Sequence, residues 1–151
     1  MNQTEVKKRR TSDEEWFKKT EKHLSNYRIW EKRIFNLRLE LDNLLPSCTP
    51  TYDDTPVSGG TNSDQTGNLG GKRVEIEWEI KEKENKMKQV DTALSLLTEE
   101  RKAIVMLRFI DLLRDWQIYD LSRIPLGKTL YYTERDAGME IVAKTLGYLE
   151  C

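Results

Sequence analysis

Residues 97–146, LTEERKAIVMLRFIDLLRDWQIYDLSRIPLGKTLYYTERDAGMEIVAKTL, decide the fold. Thr98 is a good N-cap, because its hydroxyl can accept from an orphan amide, and Glu99 and Glu100 follow where the helix dipole favours negative charge. Ala103, Ile104, Leu107 and Ile110 then make an apolar line at helical spacing, broadened by Met106 and Phe109. Asp115 is expected to cap a second, short helix whose apolar set is Trp116, Ile118, Tyr119 and Leu121. Pro125 cannot sit inside a helix, which makes 123–126 a turn. Gly127 opens a third helix. Its inner line is Tyr131, Gly138, Met139, Val142 and Leu146, while Lys128, Thr129, Tyr132, Thr133, Arg135 and Asp136 are expected to fall outward around its first turns.

An outward set of this kind mixes charge with hydroxyls. Such a face can touch both phosphates and base edges when a helix enters a major groove. It is also the composition of an ordinary solvated face, and periodicity alone does not separate the two.

Upstream, Phe17, Thr20, Leu24, Tyr27, Trp30, Ile34, Leu37, Leu41 and Leu44 step by three or four residues, the mark of one apolar stripe. Ser12, with Glu15 three residues on, is a plausible cap for a helix over 12–45, which Pro46 ends. A second helix over 72–97 places Ile76, Ile80, Met87, Val90, Leu94 and Leu97 in heptad positions, with Lys83 in the one place lacking an apolar residue. Neither stripe can be buried by its own helix. An antiparallel hairpin is the simplest answer, and pairing with a second chain is equally compatible, giving a homodimer through the long helices. Residues 46–71 hold three of the four prolines, five of the eight glycines and no Lys or Arg, so this segment is expected to be a disordered linker. Residues 1–11, with the run Lys7–Arg10, form a basic terminus, and 98–151 form the C-terminal domain. The expected fold class is all-α, a long, coiled-coil-like N-terminal hairpin followed by a C-terminal helix-turn-helix.

Composition narrows the function classes. The net charge is −1, and residues 101–151 carry eight Lys and Arg against seven acids, so the C-terminal domain has no basic excess with which to attract a polyanion. DNA affinity would then need a dimer, a second protein, or Lys7–Arg10 as an arm on phosphate. Cys48 and Cys151 lack metal-ligand spacing, and His23, the only histidine, cannot complete a zinc site with them. Gly127-Lys128-Thr129 resembles the end of a phosphate-binding loop, yet Ser122 stands where that motif needs its first glycine. The glutamates of 75–84 are interleaved with lysines, as in helical ion pairs. The four tryptophans suit core packing better than base stacking. No metal, cofactor or catalytic residue is expected, and the chain does not read as an enzyme. Apolar stretches are broken by charge every few residues, and the basic terminus precedes no apolar segment, so a cytoplasmic protein without membrane contact is expected.

LTEERKAIVMLRF, followed by WQIYDL, a short turn and a Tyr-bearing helix, resembles region 4 of bacterial sigma factors. More closely, IYDLSRIPLGKTLYY with a helix ending AKTLG resembles the phage-encoded ArpU-type and RinA-type transcriptional regulators. The resemblance covers residues 97–146 and is architectural before them. It implies a sigma-region-4-like helix-turn-helix, sequence-specific binding of double-stranded DNA, phage or prophage late-gene control in a bacterial host, and RNA polymerase as a second partner. By that match Gly127 takes the N-cap place, Tyr131 the buried place, and Lys128, Thr129, Tyr132, Thr133 and Arg135 the DNA-facing places. Two departures stand out: Glu134 where an apolar residue usually turns inward, and Gly138 where alanine is expected. The same parts could also build an adaptor that docks RNA polymerase without reading DNA, or a small-terminase-like DNA-packaging subunit.

Overall fold

The computed structural model of the chain describes residues 10–44, 63–120 and 124–151, with backbone alone over 63–69. Every regular element among them is helical: a 3₁₀ turn at Thr11–Asp13, then α1 (Glu15–Ser25), α2 (Tyr27–Leu44), α3 (Ser63–Ser95), α4 (Glu99–Val105), α5 (Asp115–Asp120) and α6 (Lys128–Leu146). None of these helices is long and apolar enough to cross a membrane. The described residues fall into two compact units, one within Met1–Ile29 and Lys86–Cys151, the other Trp30–Asn85.

The first unit contains α4, α5 and α6 closed around Ile104, Ile118, Ile124 and Tyr131, all buried. Thr98 caps α4 as expected, its hydroxyl accepting from the Arg101 amide. Beyond Val105 the helix widens into a π turn, Met106–Ile110, in which the Asp111 amide reaches the Met106 carbonyl at 2.8 Å. Leu112 then adopts a left-handed conformation, φ 60°, and reverses the chain into α5. The Gln117 side chain accepts from the Arg114 amide at 2.8 Å, so Gln117 reaches back over the start of α5 and Asp115 is free for other contacts. Residues 121–123, which include Leu121 and the first residue of the expected turn, lie outside the described residues. Gly127 is the N-cap of α6, and Gly147, at φ 86°, ends it. There the Tyr148 amide meets the Ala143 carbonyl at 2.9 Å and the Gly147 amide that of Lys144 at 3.3 Å, a Schellman motif.

Gly138 lets α6 approach α4: a Cβ at this position would stand 3.2 Å from Val105 Cγ2 and 3.5 Å from Arg101 Cβ. The neighbouring departure, Glu134, bonds Arg101 Nε at 2.6 Å, so an ion pair joins the same two helices where an apolar contact was expected.

The expected single helix over 12–45 is divided, and its first part belongs to this unit. Glu14, not Ser12, precedes α1, and no side chain caps it. At the other end the Ser25 hydroxyl and the Asn26 amide side chain both donate to the Lys22 carbonyl, at 2.7 and 3.0 Å. That carbonyl is the acceptor the Asn26 backbone amide needs to continue the helix. The amide turns instead to His23, one residue nearer, and α1 ends. Phe17, Thr20 and Leu24 on α1 are buried. The Phe17 ring meets Phe109 edge-on at 5.7 Å, and the Thr20 hydroxyl is satisfied by the Trp16 carbonyl at 2.7 Å. The C-terminal domain expected over 98–151 therefore includes α1.

In the second unit the remainder of the stripe finds its partner within the chain. Trp30, Ile34 and Leu37 of α2 and Ile80 of α3 are buried, and burying a leucine such as Leu37 contributes about 1.5–3 kcal/mol. Arg33 and Arg38 lie on either side of that stripe and bond Glu79 (2.9 and 3.2 Å) and Glu84 (2.7 Å) of α3. Arg33 holds the Glu79 carboxyl below its ordinary pKa range, chiefly by hydrogen bonding. α3 begins at Ser63, so the linker expected over 46–71 is helical in its last nine residues; 46–62 lie outside the described residues. Propagating an existing helix adds one hydrogen bond per residue, which offsets the cost of about 1 kcal/mol for each of Gly67, Gly70 and Gly71.

Candidate nucleic-acid interface

The six outward residues expected on α6 do not share one environment. Lys128, Thr129 and Thr133 are exposed, Tyr132 and Asp136 are half-buried, and Arg135 is buried at 8% exposure. Thr133 Oγ1 donates to the Thr129 carbonyl at 3.1 Å, which ties its hydroxyl to the helix it sits on. Leu130, absent from the expected set, is also exposed.

Arg135 is the correction. It lies four residues after buried Tyr131 and three before buried Gly138, on the inner line of α6. Its guanidinium bonds Asp136 at 2.9 and 3.1 Å and Asp115 at 3.4 Å, and it sits over the rings of Tyr132 (4.9 Å) and Phe17 (5.4 Å). Burial alone would lower its pKa, but the hydrogen bonds to Asp136 and the charges of Asp136 and Asp115 outweigh it, and the value is raised. The charge is therefore spent inside the protein.

Asp115 is the second organiser. Besides Arg135 it accepts from Tyr131 Oη at 2.6 Å and from Arg108 Nε at 3.2 Å, so one carboxylate links the π turn, α5 and α6. Burial, then the hydrogen bond and charge of Asp115, push the Tyr131 hydroxyl far above the ordinary tyrosine range, and it stays a donor. Burial and the charge of Asp115 raise Tyr132 as well. Tyr119, Tyr131 and Tyr132 stack at tilted and edge angles, with ring centroids 5.2–6.2 Å apart, and brace the first turns of α6 against α5.

Four of the six expected residues line one cleft of about 680 Å³: Lys128, Tyr132, Arg135 and Asp136. Asp115 joins them from α5, and Arg10, Thr11 and Ser12 join them from the start of the described chain. Thr129 and Thr133 stand outside it. The sequence reading missed Thr11, Ser12 and the hub role of Asp115, since only the fold brings them to α6. Arg10 had a signal, the basic run it ends, but nothing in the sequence placed Arg10 beside α6. Comparison of the chain with protein-family models, curated proteins and solved structures finds no match.

Proposed function

We propose that the chain is a sequence-specific regulator of transcription that binds double-stranded DNA through a helix-turn-helix of sigma-region-4 type, with α6 as the reading helix and α5 bracing it. The sequence resemblance to ArpU-type and RinA-type phage regulators supports this reading. The observation that carries it is the exposure of Lys128, Thr129, Leu130 and Thr133 over the first turns of α6, while Tyr131 and Ile118 lock that helix to α5. N-terminal side chains of a helix seated in the major groove are the ones that reach base edges. Lysine suits guanine or phosphate, the threonines offer hydroxyls, and an exposed leucine offers an apolar contact to the thymine methyl. Arg135 and Asp136 are assigned to support of the helix. A homodimer would use outward residues of the long helices, such as Phe35, Leu39, Val74 and Trp78, because the stripe is buried within one chain.

Titrating labelled protein with a duplex and following backbone amide shifts tests the assignment. Shifts concentrated on 128–133 are expected. Shifts confined to α2 and α3, or none at low salt, would contradict it. The exposure of Leu112 and Trp116 favours the alternative of a polymerase-docking adaptor, whose partner would perturb those two residues and leave α6 unchanged.

A further inference from the structure

We propose that α2 of one chain docks by its outer face onto the outer face of α3 of a second copy, so that copies join head to tail through the second unit. The pairing is of unlike faces, which distinguishes it from a two-fold homodimer, and it does not depend on what α6 binds.

Two apolar patches lie away from the stripe that α2 and α3 bury. Phe35 and Leu39 each stand two residues from buried Leu37, and Trp78 stands two from buried Ile80, about 160° round a helix that turns once in 3.6 residues. Phe35 is 60% exposed and Trp78 67%, and Leu39 and Val74, each four residues away, extend them to i,i+4 pairs. Laying one patch on the other removes aromatic surface from water on both sides. Their shapes also differ. Val74, Glu75, Trp78, Glu79, Glu82 and Lys83 line a groove of about 600 Å³ on α3, while Phe35 and Leu39 stand as a ridge on α2. A ridge fills a groove, as a second groove does not.

Charge identifies the occupant as a copy of the same chain. Along α2, Lys32 precedes the apolar pair and Asp42 follows it; along α3, Glu75 adjoins Val74 and Lys81 follows Trp78. All four are exposed, and none makes an ion pair among the described residues. The order of sign is reversed between the two faces. An α2 running in the same direction beside the α3 of another copy therefore sets Lys32 against Glu75 and Asp42 against Lys81, with the Phe35 and Leu39 ridge over Trp78. Because the stripes of α2 and α3 face each other within a chain, their outer faces point apart. Each copy keeps one free face after docking, and assembly continues past two chains, to a ring or a filament. Joined copies raise the effective concentration of every other contact the chain makes.

Sedimentation velocity on the full chain tests this, with circular dichroism as the check on folding. The wild-type mass should rise past two chains with concentration. Phe35→Glu and Trp78→Glu should each stay monomeric alone, while their equimolar mixture should pair and stop at two chains, because one sound α2 face then meets one sound α3 face. Lys32→Glu should weaken association about two- to fivefold, and Lys32→Glu/Glu75→Lys should restore it, since the reversed pair attracts again. A wild-type chain that remains monomeric at its highest soluble concentration would overturn the proposal. So would growth that halts at two chains with no pairing in the mixture, the pattern of a symmetric dimer.

Discussion

Arg135 keeps its charge inside the protein because two carboxylates and two aromatic faces meet it there, and each member depends on the others. Replacing it with leucine would leave Asp136 without its cation and Asp115 with one fewer. Loss of charged hydrogen bonds at a mostly buried site costs about 1–3 kcal/mol, and Arg135→Leu should lower the melting temperature by roughly 2–4 °C per kcal/mol in a chain of this size. Lys128→Ala, on an exposed and unpaired residue, should leave it unchanged. Equal melting temperatures in both variants would show that the Asp115 network is not structural. His23 provides a second probe at this scale. Its Nδ1 lies 2.9 Å from the Tyr148 hydroxyl, and burial, followed by the charge of Lys86, lowers its pKa below the ordinary 6.5. Below pH 6.5 the unfolded chain takes up a proton that the folded chain does not, so stability falls with pH until the folded value is reached. Melting curves between pH 7.5 and 5 should show that loss in the wild type, and a smaller one in His23→Asn. Identical pH dependence would remove His23 from the account. The position of Arg135 was legible in the spacing of α6, since 131, 135, 138, 139 and 142 share one line; its residue type pointed the other way, because nothing in a helix pattern reveals that Asp115 of α5 meets it there.

Among the elements, α4 and α6 are held by a contact that only glycine permits. Gly138→Ala gains up to about 1 kcal/mol of helix propensity but places a methyl 3.2 Å from Val105, a stiff β-branched residue that is fully buried. Overpacking costs typically about 1–3 kcal/mol, so urea unfolding should show the variant to be less stable than the wild type, with the loss relieved in Gly138→Ala/Val105→Ala. A more stable single variant would show that Val105 can yield. Most helices and their apolar faces were readable from spacing. The break after Ser25 was not, because it depends on two side-chain donors competing for one carbonyl. The helical state of 63–71 was not readable either, since glycine content reports propensity and says nothing about a helix propagating from below.

For the whole molecule, the sequence left open whether the long helices pair within or between chains, because a stripe identifies a buried face without naming its partner. Pairing within the chain makes protection of Leu37 and Ile80 amides from hydrogen exchange independent of protein concentration, where pairing between chains would make it rise with concentration. Leu37→Glu should abolish that protection. The unit that holds α1 and α6 also brings Arg10, Thr11 and Ser12 to the cleft that Lys128 and Tyr132 line. Selection of bound sites from a pool of randomised duplexes tests the central claim, that α6 reads DNA. The wild-type chain should enrich a short consensus, degraded by combined alanine substitution of Lys128, Thr129 and Thr133 with melting temperature unchanged; a pool that stays random through successive rounds at low salt would show that α6 does not read DNA.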